Sequence, residues 1–199
     1  KEPKKMKINN KQKYDTFLIG KFVDLVIIDS KFLKNNSWHT WLNDQKLTKY
    51  TKQGYYPLTK NEHERYVKEN IFSKKRIQLG VIKKTNMELI GMISLYNINQ
   101  LDQCAAVSAL MNMSSKEIGS IKYFLEAQNL IIEHAFKKLN LRRVEAAAND
   151  SKLCHMNEKL FGFKCEGVLK EKDFINGIFT DRYILAILKK DWDKRKHKI

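Results

Sequence analysis

The segment from Ile121 to Leu139 constrains the fold most. Ile121, Phe124, Leu125, Ile131, Ile132, Ala135, Phe136 and Leu139 recur at helical spacing over about five turns. Lys137 and Lys138 fall in the last turn and Asn140 follows, a sound stop signal. Apolar runs flank this helix. CAAVSALMNM (104–113) precedes it and LRRVEAAA (141–148) follows, and both read as strands. Just before the helix, Lys116-Glu117-Ile118-Gly119-Ser120-Ile121 opens like a phosphate-binding loop, with one glycine where such loops usually carry more. Free N–H groups from about Ile118 to Lys122 suit an anion, Ser120 adds a hydroxyl, and Lys116 and Lys122 add charge. A tight turn and nothing more is the other reading of Gly119.

The rest of the chain supplies more strands and helices. FVDLVIID (22–29) reads as a first strand. SWHTWLND (37–44) reads as a short helix with Ser37 as N-cap. Thr59 with Glu62 three residues on has the spacing of a capping box and starts a second helix. IQLGVIK (77–83), ELIGMISLYNI (88–98) and CAAVSALMNM predict an antiparallel meander. Asp150 or Ser151 can cap a short helix through Leu160. Asn176-Gly177 between two apolar runs is a type I′ hairpin signal. This order predicts an α/β (α+β) class with a mixed sheet. Residues 1–15 read as a flexible basic lead-in, 16–192 as one domain and 193–199 as a basic tail.

Composition narrows the partners. The net charge of +16 favours anionic ones, but lysine is spread along the chain, which argues against a nucleic-acid groove. No apolar run reaches the ~18 residues of a membrane span, and no signal peptide is visible. Lys1 at the first position reads as a partial start. Cys104, Cys154 and Cys165 fit no metal or redox spacing, so reduced thiols and a cytoplasmic setting are expected.

The element order and the residues together resemble the GNAT superfamily of acyl-CoA-dependent N-acyltransferases. Within it, the chain is similar to the branch of ribosomal-protein and amino-sugar N-acetyltransferases. The matching pieces are WLND (41–44), LIGMISLYNI (89–98), EAQNLIIEHAF (126–136), LNLRRVEAAAND (139–150), NEKLFGFKCEG (157–167) and DRYILAILKKDW (181–192). The resemblance implies a mixed, centrally splayed sheet of about seven strands with flanking helices. It implies acetyl-CoA as co-substrate, no metal, and direct attack of an amine on the thioester.

The same resemblance implies site residues. Leu110, Met111, Asn112 and Met113 would line the splayed strand, with the N–H groups of 111–113 polarising the thioester carbonyl. Lys116, Gly119, Ser120, Ile121 and Lys122 would receive the pyrophosphate, with Ile121 standing where a second glycine or alanine belongs. Asn149 and Ser151 would contact the pantetheine arm, and helix capping suits them equally. Asn157 stands where the family's proton-donating Tyr belongs, and can hydrogen-bond the sulfur or cap locally. Glu145 is a candidate base through water, or a salt-bridged strand residue. His155 is a candidate proton shuttle, or a surface histidine. Cys154 lacks the pattern of a nucleophile. The acceptor pocket would draw on Trp38, Trp41, Tyr55, Tyr56 and Phe179, with Asn43, Asp44, Tyr50, Asp173, Phe174, Asp181 and Tyr183 nearby. The implied acceptor is a small amine or a nucleotide-linked amino sugar. A protein N-terminus is the runner-up, a non-catalytic CoA-binding domain is the alternative from another class, and a homodimer is compatible.

Overall fold

The computed structural model describes residues 13–36, 38–49, 51, 53–71, 76–112 and 121–196. Eight strands form one sheet: β1 (Thr16–Ile19), β2 (Val23–Ile27), β3 (Ile77–Lys83), β4 (Glu88–Asn99), β5 (Cys104–Met111), β6 (Arg143–Ala148), β7 (Lys164–Ile175) and β8 (Ile178–Leu188). Their spatial order is β1-β2-β3-β4-β5-β6-β8-β7. All neighbours are antiparallel except β5 and β6, which run parallel. Six helices accompany them among the described residues: α1 (Ser30–Asn35), α2 (Trp38–Trp41), α3 (Lys60–Ile71), α4 (Ile121–Lys137), α5 (Ser151–Phe161) and α6 (Lys189–Lys196).

The mixed class holds, and the meander 77–83, 88–99, 104–111 lies where alternation placed it. Three elements had weaker signals. β1 is only four residues, too short for its alternation to register. α1 is N-capped by Asp29, whose side chain accepts the Phe32 N–H at 2.7 Å. α6 carries seven charged residues in eight, so its helicity comes from docking rather than from an apolar stripe. It runs through Lys196, into the stretch read as a tail. The 37–44 helix contracts to the four residues of α2. Ser37 lies outside the described residues.

Local signals behave as their chemistry requires. Thr59 and Glu62 close the capping box: the Thr59 backbone N–H donates to Glu62 Oε2 at 2.9 Å and Thr59 Oγ1 receives Glu62 N–H at 3.3 Å. Asp150, not Ser151, caps α5, accepting from Lys152 N–H at 2.6 Å and Leu153 N–H at 3.3 Å. Asn176 and Gly177 both take positive φ, 50° and 85°, as a type I′ turn demands. Gly162 ends α5 at φ 76°. A Cβ there would lie 2.2 Å from Arg195 Nη1, so the α6 docking also requires this glycine. Arg195 in turn donates from Nη2 to the Leu160 carbonyl at 2.8 Å, satisfying an end carbonyl of α5.

Two cores sandwich the sheet. On one face α4 and α5 bury Ala127, Ile131, Ile132, Ala135, Phe136 and Phe161 against Leu79, Ile93, Leu95 and Val107. On the other, Phe32, Trp38 and Val67 pack on Val26, Ile82 and Met92. Fully buried side chains of this kind are each worth about 1.5–3 kcal/mol. One polar clamp joins α4 to the first hairpin. The Glu126 carboxylate accepts the backbone N–H groups of Lys21, Phe22 and Val23 at 2.6, 2.6 and 2.8 Å. It satisfies the whole turn between β1 and β2. Hydrogen bonds to a charged acceptor are worth about 1.5–3 kcal/mol each, and an amide there offers one acceptor atom in place of two. We therefore expect Glu126→Gln to lower unfolding stability by about 2 kcal/mol, read from urea titration. An unchanged midpoint would show that the clamp is ornamental.

Candidate active site

β5 and β6 pair through three residue pairs only: Cys104 with Arg143, Ala105 with Val144, and Ala106 with Glu145. Past Ala106 the strands part. Ala146, Ala147 and Ala148 continue pairing with β8, and Val107 to Met111 continue pairing with β4. Each strand thus presents one unpaired backbone edge to the other, groups that need a partner. A cavity of about 440 Å³ fills the gap. Its walls are small side chains, Ser108 and Ala109 on one side and the three alanines on the other, closed below by Phe124 and Gln128 of α4.

The hydrogen-bond phase says which groups face the gap. The Asn112 N–H donates to the Ile90 carbonyl at 2.9 Å, so that pair is a bonded one in the antiparallel ladder. Alternation then points the Leu110 N–H toward β4, and those of Val107, Ala109 and Met111 toward the gap.

A second cavity of about 200 Å³ adjoins the first and shares Thr51, Ser108 and Ala109 with it. Its floor is a polar row across three strands. Gln78 of β3 faces Ser94 of β4, and Ser94 faces Ser108 of β5. The Ser94 and Ser108 hydroxyls are 2.9 Å apart. Arg76, two residues before Gln78, lies on the same face and also lines this cavity. Its guanidinium stacks 5.8 Å from the Tyr96 ring and 6.0 Å from the Tyr66 ring, and it donates to the Tyr66 hydroxyl. Trp38 and Leu42 cover the row from above.

Tyr96 and Arg182 line the gap as well. Burial pushes the Tyr96 phenol up from its ordinary pKa, opposed by Arg182 and Arg76 and reinforced by Glu145. The hydroxyl is therefore neutral at physiological pH. Among the described residues it has no hydrogen-bond partner. Arg182 is held by Asp173, which is fully buried, with Nε donating to Oδ2 at 2.7 Å. Sequence reasoning missed Tyr96, Arg76 and Gln78. The strand alternation that puts Gln78 two residues from Arg76, and Tyr96 two from Ser94, was the available signal.

The expected residues divide by location. Asn149 and Asn157 line the gap. The Asn157 amide donates to the Leu153 carbonyl at 2.8 Å. Leu110 contributes its side chain to the second cavity, and by alternation Met111 turns its N–H into the gap. The Asn112 N–H is spent on β4, which corrects its expected role as a carbonyl donor. Met113, Lys116, Gly119, Ser120 and Tyr50 lie outside the described residues. Ile121 opens α4 and is 47% exposed, and the Lys122 ammonium sits 5.0 Å from the Phe22 ring. Ser151 is exposed as the first residue of α5.

Glu145 does not line the gap. It accepts from Arg143 Nε at 2.7 Å, and Arg143 also binds Glu166. His155 is exposed, with Nδ1 3.7 Å from Glu158 Oε2, and is likewise outside the lining. Burial pushes the Cys154 thiol up to about 11, leaving no thiolate nucleophile. Trp38 walls the second cavity, whereas Trp41 packs beside the second core. Tyr55, Tyr56 and Phe179 are exposed and line neither cavity. Tyr55 donates to the Phe174 carbonyl, Tyr56 is 85% exposed, and Phe179 packs on Phe174 at 5.0 Å. A separate cavity of about 490 Å³ lies at the start of β6, by Arg142, Arg143 and Lys189, and holds none of the expected residues.

The comparisons with known proteins agree with this geometry. Residues 34–151 match the family model described as an acetyltransferase (GNAT) domain. A probable N-acetyltransferase of Bacillus subtilis, YjcK, is 30% identical over 145 residues, covering 71% of this chain and 75% of the relative. A putative ribosomal N-acetyltransferase of the same organism, YdaF, is 31% identical over 54% of this chain and 58% of its own. The crystal structure of spermidine N-acetyltransferase from Vibrio cholerae in complex with CoA and spermine superposes with a TM-score of 0.74 at 22% identity. It covers 85% of this chain and 97% of that one.

Trp38, in the wall of the second cavity, packs on a titratable group. Its ring packs edge-on against His63 at 4.3 Å. Burial, aided by His39, pushes the His63 pKa down from 6.5 to about 4. The unfolded chain binds the proton first, so this stability is present above pH 6.5 and lost as pH falls toward 4. We expect a loss of roughly 2–3 kcal/mol over that window. His63→Phe flattens it, as urea midpoints at several pH values would reveal. An unchanged slope in the variant would contradict the assignment.

Proposed function

The chain belongs to the GNAT acetyltransferase family, and from that premise we propose that its acceptor is a small amine, of the class of nucleotide-linked amino sugars. It is an N-acetyltransferase with acetyl-CoA as co-substrate. The observation that carries the reading of the acceptor is the pair of adjoining cavities. One is the gap between β5 and β6, wide enough for a slender arm with free N–H groups along its edge. The other is a pocket of about 200 Å³ that meets the gap at Ser108 and Ala109. A pocket of that volume suits one small ring, since a water takes about 30 Å³.

The chemistry follows the same layout. The amine lone pair attacks the thioester carbon, a C–N bond forms, and the C–S bond breaks. The N–H groups of Ala109 and Met111 are the donors turned toward the carbonyl and the arm. The departing thiolate needs a proton, and Tyr96 offers a neutral hydroxyl in the same cavity. Asn157 is the second polar group within the gap that can meet the sulfur. The surplus proton of the amine leaves to water.

A spermidine N(1)-acetyltransferase is among the relatives, at 27% identity over 58% of this chain. A polyamine calls for carboxylates. The described lining of both cavities contains arginines and no Asp or Glu, which favours an acceptor without extra positive charge. The reading as a protein N-terminal acetyltransferase draws on YdaF. Thr51 and Gln53 line one side of the acceptor pocket, which favours a small molecule.

Two measurements test this reading. Acetyl-CoA should raise the melting temperature with concentration, because a ligand of the native state stabilises it. No shift at saturation would sink the proposal, and a shift without turnover on any amine would leave a CoA-binding scaffold. Tyr96→Phe should fold normally and lower kcat by about 10²-fold, within the usual worth of a positioned proton donor. Unchanged kcat would assign the proton to another group.

A further inference from the structure

The acceptor pocket contains polar atoms that the fold itself does not use. Arg76 Nε, Gln78 Oε1 and Trp38 Nε1 are buried and have no hydrogen-bond partner among the described residues. All three belong to residues that line the same 200 Å³ pocket. Native proteins leave few such atoms, and each unsatisfied one costs about 1–3 kcal/mol. Here two donors and one acceptor are left open within one small space, Arg76 and Gln78 at the start of β3 and Trp38 on the helix that covers it.

Arg76 also brings a positive charge to the pocket. It has no carboxylate within ion-pair distance among the described residues, and its one hydrogen bond goes to the Tyr66 hydroxyl. Its ring contacts with Tyr66 and Tyr96 hold the guanidinium plane in place without neutralising it. Arg182 differs, because the buried Asp173 already compensates it. A fixed, uncompensated guanidinium with a spare N–H is the group best matched to a carboxylate or phosphate oxygen. Gln78 sits two residues along the same face, its free amide oxygen suited to an N–H or O–H of the same ligand.

We propose that Arg76 and Gln78 form the recognition seat for the acceptor, with Arg76 taking an anionic oxygen and Gln78 taking a donor beside the reacting amine. The acceptor is thereby an amine that carries its own carboxylate or phosphate. This rests on the reading of the chain as a small-amine acetyltransferase and sharpens it. Both residues are specificity determinants. The row Gln78–Ser94–Ser108 leads from the seat to the gap, so an amine on a ring held there points toward the shared wall at Ser108.

The test uses three ring sugars that share a 2-amine and differ only at C6: glucosamine, glucosamine 6-phosphate and 2-amino-2-deoxyglucuronic acid. Each is titrated by calorimetry into the full chain, with and without saturating CoA, alongside spermidine. The acid-bearing sugars should bind about 10- to 100-fold more tightly than glucosamine, the worth of one charge-assisted hydrogen bond. Whichever of the two is preferred identifies the phosphate or the carboxylate as the native group. Arg76→Ala should erase the preference while leaving the affinity for acetyl-CoA unchanged. Gln78→Leu should weaken all three sugars and leave the melting temperature equal or higher, since it removes an unsatisfied buried atom. Equal binding of the three sugars, a preference that survives Arg76→Ala, or spermidine binding as tightly as the acids would overturn the proposal. Absence of acetyl-CoA binding would instead overturn the functional reading, and the titrations without CoA would still decide the seat.

Discussion

Three residue pairs join β5 to β6, and the rest of the site depends on their being only three. Were the pairing to continue, Val107, Ala109 and Met111 would spend their N–H groups on β6 and the sheet would close. Instead each strand finds a full partner on its far side, β4 for one and β8 for the other. The sheet can therefore split without unravelling. The cost is an open backbone edge, held where a ligand can meet it. The run of alanines at 146–148 keeps that edge accessible, because larger side chains would fill the space the parting creates.

The parting needs a rigid frame, and α4 is the beam across it. Its apolar face spans the core below the sheet, from Tyr123 to Phe136. Its Glu126 ties the beam to the turn between β1 and β2 on the sheet's other wing. At the far wing α6 docks on α5 through Arg195, which fits only because Gly162 has no Cβ. The two wings are thus held by polar contacts, while the core between them is held by burial.

Period and capping chemistry made most of the frame legible in advance. The meander, the long helix, the capping box at Thr59 and the Asn176-Gly177 turn all follow from local rules that one sequence displays. The elements that were not legible are those stabilised by distant partners. β1 is four residues that make sense only against β2, and α6 is a charged helix that makes sense only against Leu160 and Gly162. The site divides in the same way. Asn149 and Asn157 could be placed at the gap by resemblance. Gln78 and Tyr96 come from two strands, Arg76 from just before one of them, and the three meet only through register. Glu145 read as either a base or a salt-bridged strand residue, and the ion pair is what forms: Arg143, two residues away, bridges it to Glu166 of β7. Backbone phase was equally invisible: nothing in the letters says that the Asn112 N–H is spent and that of Met111 is turned the other way.

β5 is the wall that both cavities share, and its geometry divides the labour between edge and face. Its backbone edge toward β6 has no side chain to vary, so the surface offered to the thioester arm is insulated from substitution. Its side-chain face, with Gln78 and Ser94 in line beside Ser108, is where we propose the acceptor is held, and there the side chains rather than the backbone set the surface. A lineage of such proteins can therefore exchange one amine for another by point mutation while the donor half stays as it was. The architecture is conservative toward one substrate and permissive toward the other because of which part of a single strand each one touches.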